Sequence, residues 1–406
     1  MHVVFVAPFF QDTTLRFVRA AAQVGGARLS LLTQEPVHKV PEDLRRTLSG
    51  FAQVANALDT QAILQGVRQL QAKHGPVVRL LGALEHIQVQ LAEVRAALGI
   101  AGMLPAQARN FRDKAQMKDC FEAAGIPCAR HKELHSAEDA WLFARQIGYP
   151  LVIKPREGAG SVTTYRVDDD AQLAAALQAV RPSLQRPAVA EEFVVGTEHS
   201  FEVVSIGGQP VWHSLSHYTP NPLDAVRNPW IQWCVLLPRD ISGPEFEPAR
   251  KAGFAALQSL GMGTGLTHME WFRRKDGSVA VSEIAARPPG ANLVRMNSLA
   301  HDFDLFNAWA RLMMLDQFPR VERKYAVGCA FFRGQGLGGQ IRRVHGLAEA
   351  QAKVGGLVIE TKLPRVGAAP SSSYEGDGWA IVRHPQTEVV QDALQHLIKN
   401  VRVEVG

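Results

Sequence analysis

A chain of 406 residues is too long for one simple core and predicts two to four domains or subdomains. Its 46% hydrophobic and 20% charged residues are those of a soluble globular protein, and the net charge of +5 comes from scattered lysines and arginines with no interleaved aromatics, which argues against a nucleic-acid surface but suits a small anionic ligand. Cys120, Cys128, Cys234 and Cys329 show neither a CxxC pair nor zinc spacing, no apolar run approaches the ~18 residues of a membrane span, and no basic leader opens the chain, so reduced thiols, no membrane contact and a cytoplasmic location are expected.

HVVFVAPFF (2–10) reads as a buried strand, TLRFVRAAAQVG as a helix closed by glycine, and ARLSLLT as a second strand, the β-α-β opening of a doubly wound sheet. Helical periodicity returns near 60–73, PVVRLLG (76–82) predicts another strand, and 86–98 another helix. The opening turn, APFFQDT, is not GxGxxG, so this unit is expected to be a scaffold and not a nicotinamide site.

From Asn110 the texture changes. NFRDKAQMKDCFEAAGIP predicts an amphipathic helix ended by Gly125-Ile-Pro, with Lys114 and Lys118 as surface neighbours four residues apart. A solvated basic face is as good a reading of that pair as a functional one. YPLVIKPREGAGSVTTYRV (149–167) predicts a strand ending in Lys154, a glycine-containing loop at 157–160 and a second strand. Such a loop lets backbone N–H groups approach phosphate oxygens, while a strand lysine supplies fixed positive charge. AVAEEFVVGTEHSFEVV (188–204) predicts two short strands around Gly196, with Glu191, Glu192, Glu198 and Glu202 crowded among apolar residues; a solvated edge strand is the alternative.

GLTHMEWFRRKDGSVAVSEIAARPPG (265–290) predicts a hairpin around Asp276-Gly277. With those two residues central in the turn, Lys275 pairs with Ser278 and, counting outward, Glu270 falls opposite Glu283. Opposed carboxylates repel and call for a cation, and hard divalent ions such as Mg²⁺ take carboxylate oxygens, phosphates and water. A slipped register would send one glutamate to solvent instead. The nearby Arg287 suits an anion bridged to that metal.

The ordered set RDKAQMK, LVIKPREGAGS, AEEFVVGTE, HMEWF and EIAARPPG resembles the ATP-grasp superfamily over roughly residues 100–320, in the flavour of carboxylate–amine ligases that join amino acids into dipeptides. The resemblance implies an α/β chain: a doubly wound, Rossmann-like N-terminal domain (1–105), a small ATP-grasp lid subdomain (106–186), a central ATP-grasp domain with the metal site (187–320) and a small C-terminal α+β closing domain (321–406). It implies ATP and Mg²⁺, or Mn²⁺, as cofactors. Lys114 and Lys154 match the lysines on the nucleotide phosphates, and 157–161, with Gly158, Gly160 and Ser161, match the loop that closes over them. Glu191 matches the carboxylate near the adenine amino group, with the backbones of Glu192 and Val194 beside it, and Glu198 the ribose-binding acid. Glu270 and Glu283 match the magnesium ligands and Arg287 the arginine that steadies an acyl phosphate, so Lys154 and Arg287 are the expected catalytic residues.

One position departs from the pattern. Many members carry a metal-binding asparagine two residues after the second glutamate; here Ala285 stands there, facing His268 in the hairpin register, so water or His268 fills the gap or one metal binds more weakly.

The reaction implied is phosphorylation of a carboxylate by ATP, then attack of an amine on the acyl phosphate, with small-molecule carboxylate and amine as partners. The alternatives are an ATP-dependent carboxylase or purine-type ligase, and a nucleotide-binding protein without catalysis. For the acceptor side, 211–233 is either a lined pocket or an aromatic-rich interface among turn-forming residues; His217, Tyr218, Trp233, His268, Arg287, Gly290, Asn292 and Arg295 are candidate substrate contacts, and Arg295 reads equally as a solvated helix residue. GAAPSSSYEGDG (367–378) is a polar loop without assignable chemistry. A homodimer is the assembly entertained.

Overall fold

The computed structural model describes residues 1–156, 164–336 and 338–406. The apolar opening run forms β1 (His2–Val6), which joins β2 (Arg28–Thr33), β3 (Gly50–Gln53) and β4 (Val77–Leu81) in a parallel sheet of order β3-β2-β1-β4. Alternation sends Val3 and Phe5 to one face and Val4 and Val6 to the other. The helix Asp12–Ala22 covers the first face with Leu15, Phe17 and Val18, and the helices Thr60–His74 and Gln88–Leu98 cover the second with Ile63, Val67, Leu91 and Val94. A parallel strand covered on both faces must be apolar throughout, as β1 is. The expected doubly wound unit is present.

The single helix expected over 110–127 is instead two, Pro105–Asn110 and Lys114–Ala123. Asp113 starts the second by accepting from the N–H groups of Ala115 and Gln116, which sets Lys114 at the first helical position. A four-stranded antiparallel sheet follows, built from β5 (His131–Leu134), β6 (Leu151–Pro155), β7 (Tyr165–Val167) and β8 (Ala188–Glu192) in the order β5-β8-β6-β7. The helices Ala137–Ile147 and Asp170–Val180 pack on it through Phe143, Leu173 and Leu177.

The remaining strands are β9 (Thr197–Ile206), β10 (Gln209–Thr219), β11 (Trp233–Leu237), β12 (Gly265–Arg273), β13 (Val279–Ala285), β14 (Ala326–Phe332), β15 (Gly334–Gln335), β16 (Ile341–His345), β17 (Val358–Lys362), β18 (Gly378–His384) and β19 (Arg402–Val405). Eight of them form one antiparallel sheet of order β13-β12-β9-β10-β11-β14-β18-β17, and β15-β19-β16 form a small sheet beside it. The C-terminal strands thus extend the central sheet, with the helix Thr387–Asn400 packed on β14 through Val390 and Leu394.

Two expectations need correction here. The second strand after Gly196 is long, not short, and much of 211–233 is not turn but the central strand β10, which deals its aromatic residues to both faces. The helix Lys114–Ala123 and the turn after it are tied to β13, where Val281 N–H donates to Pro127 O at 2.8 Å and Lys118 Nζ to Ser282 O at 3.2 Å. No helix among the described residues is long and apolar enough to cross a membrane.

Candidate active site

Glu270 lies directly opposite Glu283, and His268 opposite Ala285. The expected register is therefore observed, but by another route. In place of a two-residue turn, Arg274 N–H donates to Ser278 O at 2.9 Å and Gly277 N–H to Arg274 O at 3.0 Å, closing a three-residue loop with Gly277 at φ 83°. That loop alone would shift every pair by one residue. A bulge at Ser282, between the pairs Trp271–Val281 and Glu270–Glu283, shifts them back.

On the neighbouring strand β9, Ser200 sits opposite Glu270 and Glu202 opposite His268, so Glu198, Ser200 and Glu202 share the face of the two opposed carboxylates. Glu198, Ser200, Glu202 and His268 are buried and Glu270 and Glu283 half-buried, and the charges on this face are not independent. Burial, and then the charges of Glu270 and Glu283, push the Glu198 carboxyl well above the usual carboxylate range. Burial would raise Glu283 as well, but Lys114, 3.1 Å away, with Lys154 and Arg287 beyond it, holds its pKa down at about 2.

Lys154 projects from β6 into the same space and is buried. Its Nζ lies 2.9 Å from Glu191 Oε1, and Glu191 with Glu283 keeps the ammonium charged against its burial. Lys118, only 1% exposed, reaches the same Glu191 oxygen at 3.5 Å and the carbonyl of the bulge residue Ser282. It is neither solvated nor spare, which corrects the basic-face reading of Lys114 and Lys118. Glu191 is held low by Lys118 and Lys154 despite burial, so an adenine role for its side chain would be shared with holding Lys154. The Glu192 N–H donates to Arg130 O at 2.9 Å, so that backbone has no free donor for a base.

Arg287 lies past the end of β13 and is gripped by a residue the sequence reading passed over. Glu85 Oε2 accepts from its Nε at 3.0 Å and Nη2 at 2.7 Å, while Glu85 Oε1 takes Arg112 Nη1 at 2.9 Å. Glu85 stands just beyond the C-terminal end of β4, where open α/β sheets place their ligands, and that position was the signal available for it. Tyr374, from the polar loop at 367–378, is a second such residue. It packs against Gly290, its hydroxyl 3.1 Å from where a Cβ there would stand, and the charges of Arg287 and Glu270 act on it, so the loop lies over the site. Glu375 accepts from the Ala291 N–H at 3.0 Å beside it.

His268 is faced by carboxylates at both ring nitrogens, Glu202 Oε1 2.8 Å from Nδ1 and Glu270 Oε1 3.6 Å from Nε2. Burial opposes its charge, but the two acids raise its pKa to about 9. A ring protonated on both nitrogens has no lone pair for a metal. His268 thus stands beside Ala285 with a carboxylate at each ring nitrogen.

The other substrate candidates do not converge. Tyr218 is buried on the carboxylate face, near Glu270 and Glu202. Its neighbour His217 points the other way and stacks on His199 at 4.7 Å, so it is removed from the set. Trp233 is 1% exposed, stacked on Phe331 at 4.3 Å, with its Nε1 donating to Tyr374 O at 2.7 Å, and forms a wall under the loop. Arg295 is committed to Glu360 at 2.7 Å, and the Asn292 amide points at Cys329 Sγ, 3.8 Å away. Arg227 and Trp230 are exposed, so 211–233 does not line one pocket. Gly158, Gly160 and Ser161 lie outside the described residues.

The chain is similar to known proteins in both sequence and fold. The family model for the ATP-grasp domain matches residues 119–299. An L-arginine-specific L-amino acid ligase of Bacillus subtilis is 24% identical over 230 residues, covering 55% of this chain and 54% of that protein. An alanine–anticapsin ligase of Bacillus subtilis (strain 168) is 26% identical over 239 residues, covering 50% of this chain and 47% of that protein. The match thus spans about half the length of each of these relatives. Among solved structures, an L-amino acid ligase from Bacillus licheniformis superposes with a TM-score of 0.80 at 19% identity, over 100% of this chain and 98% of that one.

Proposed function

We propose that this chain, whose residues 119–299 match the ATP-grasp domain, is a ligase joining the carboxylate of one small molecule, an amino acid, to the amine of another, with ATP converted to ADP and phosphate. The observation that carries the reading is the half-buried pair Glu270 and Glu283, opposed beside the buried Glu198 and ringed by Lys114, Lys154 and Arg287.

That face fits a hard divalent cation. Its opposed carboxylates offer oxygen donors, and the charges of Glu270 and Glu283 add to burial in raising the Glu198 carboxyl. Glu270 and Glu283 would hold the ion, which, when bound, supplies charge neutralisation at the phosphoryl group in transfer. The Ala285 side chain has no donor, so the residues suit one cation better than two. The chain's own groups do the rest. Lys114 and Lys154 leave their carboxylate partners for the nucleotide phosphates, and Lys154, rigid within β6, stays aimed at the transferring group. Arg287, oriented by Glu85, stabilises the acyl phosphate and the tetrahedral species formed when the amine attacks. Tyr374, beside Trp233 and against Gly290, would keep water from the activated carboxylate.

The test is a screen of amino-acid pairs reading ADP release and amide product. ADP release that requires both a carboxylate and an amine, with an amide formed in equal amount, supports the reading. Release that depends on bicarbonate and forms a carbamate sinks it in favour of a carboxylase, and absence of turnover with any pair leaves a nucleotide-binding protein.

A further inference from the structure

Glu191 sits where its charge has to be balanced on the spot. Its main chain is paired on both sides within the four-stranded sheet, with His131 on β5 and Val152 on β6, and the residue is 5% exposed. With its backbone fixed and its side chain buried, the carboxylate has little room to follow a departing partner or to turn to water. Two ammonium groups share its Oε1, Lys154 Nζ at 2.9 Å and Lys118 Nζ at 3.5 Å. Burial would raise the carboxyl, but Lys118 and then Lys154 hold it below its ordinary range.

The two lysines are not equivalent. Lys154 has the charges of Glu283 and Glu270 near it as well as Glu191, and in the proposed reaction it takes up a nucleotide phosphate. Lys118 is 1% exposed, and among the described residues it pairs with no carboxylate besides Glu191. Its Nζ also donates to Ser282 O at 3.2 Å, the carbonyl of the bulge residue on β13. The helix that carries it is docked along that strand. β13 is the edge of its sheet, and its Val281 and Ile284 N–H groups donate to Pro127 O at 2.8 Å and Met117 Sδ at 3.3 Å. Lys118 is thus anchored twice, by a docked helix and by a backbone carbonyl, and stays beside Glu191.

We propose that Lys118 is a positioning residue, the standing counter-charge of Glu191 that lets Lys154 leave this carboxylate for the phosphates of the nucleotide. Without it, release of Lys154 would leave a buried carboxylate unpaired, which is strongly unfavourable, so Lys154 would stay on Glu191. Lys118 touches no phosphate in this role and acts on nucleotide affinity through Lys154. The inference rests on the nucleotide half of the function proposed above and holds whichever carboxylate and amine are joined.

The test is calorimetric binding of the magnesium complex of β,γ-methylene ATP to the full chain, without amino acids, so that no turnover is read. Lys118→Met, close in length and uncharged, should weaken binding at least about tenfold. In a Glu191→Gln background the charge to be balanced is gone while Glu283 still faces Lys154, and the same substitution should change binding less than about threefold. Lys118→Gln keeps an N–H donor toward Ser282 O and should repeat this pattern, which covers the case in which loss of that hydrogen bond unfolds Lys118→Met. Equal weakening in both backgrounds overturns the proposal, since Lys118 then touches the phosphates itself or merely holds the helix on β13. Equal binding by wild type and Lys118→Met overturns it too, because Lys154 then grips phosphate without letting go of Glu191. Failure of the wild-type chain to bind the analogue removes the nucleotide site and this inference with it. The expected binding pattern in a chain that forms no amide supports this inference and removes the ligase reading alone.

Discussion

The two faces of β9 and β12 carry the same kinds of residue to opposite ends. On one face, Glu198, Glu202, Glu270 and His268 form a charged network in which a buried imidazole is raised to about 9 because two carboxylates flank it. On the other, His199 stacks between His217 and Trp271, and burial, with His217 and Arg273 adding to it, brings its pKa down to about 3. That face packs on the helix Glu247–Ser259 as ordinary core. Burial is common to both faces, so partners and not depth decide the charge state. The lesson is that alternation along a strand separates chemistry from packing one residue at a time.

Removing a member of the charged face should have the largest effect. Glu283→Gln should leave the chain folded but lower turnover by at least about 100-fold, measured as ADP release across a magnesium titration. Near wild-type activity at limiting magnesium would show that the opposed carboxylates are not a metal site. Glu85→Gln tests the support of that face from outside it. Arg287 and Arg112 lose their shared counter-charge, and kcat should fall about 10- to 100-fold while the KM for ATP stays within about threefold. Equal losses in both would mean that Glu85 only stabilises the fold. Ala285→Asn sharpens the charged face. The magnesium concentration for half-maximal rate should fall about two- to tenfold if a donor there completes a weak site. No change would mean that water is sufficient in the place beside Ala285.

The smallest effect lies on the packing face. His199 is neutral in the fold, with its pKa depressed from 6.5 to about 3, so it leaves stability intact above pH 6.5 and erodes it as pH falls from there. The loss from this one group approaches about 1.4 kcal/mol per pH unit. His199→Phe should therefore melt with a flatter pH dependence between 6.5 and 4 than wild type. Parallel curves would show that His199 is already charged in the fold.

Much of this arrangement was legible in the sequence, for reasons that differ by region. The doubly wound opening was readable because a parallel strand covered on both faces leaves an unbroken apolar run, as HVVFV does. The facing of Glu270 and Glu283 was also read correctly, although the turn was not: the extra loop residue and the Ser282 bulge cancel, and no local pattern announces a bulge. Lys118 was visible at helical spacing from Lys114, but its burial depends on β8 and β13, which arrive far along the chain. Glu85 and Tyr374 come from turns on either side of the recognised motifs, and only the tertiary fold brings them to Arg287 and Gly290. The substrate side was least legible, because β10 distributes Tyr218 and His217 to opposite faces once its length is known.

The central claim is that the charged face activates a carboxylate by moving the γ-phosphate onto it. The direct measurement uses a donor amino acid whose carboxylate carries heavy oxygen, with ATP, magnesium and the acceptor amine, followed by mass analysis of the released phosphate and of the nucleotide. The account predicts ADP as the nucleotide product and one labelled oxygen in the phosphate for each amide formed. AMP as the product, or phosphate free of label, would contradict it.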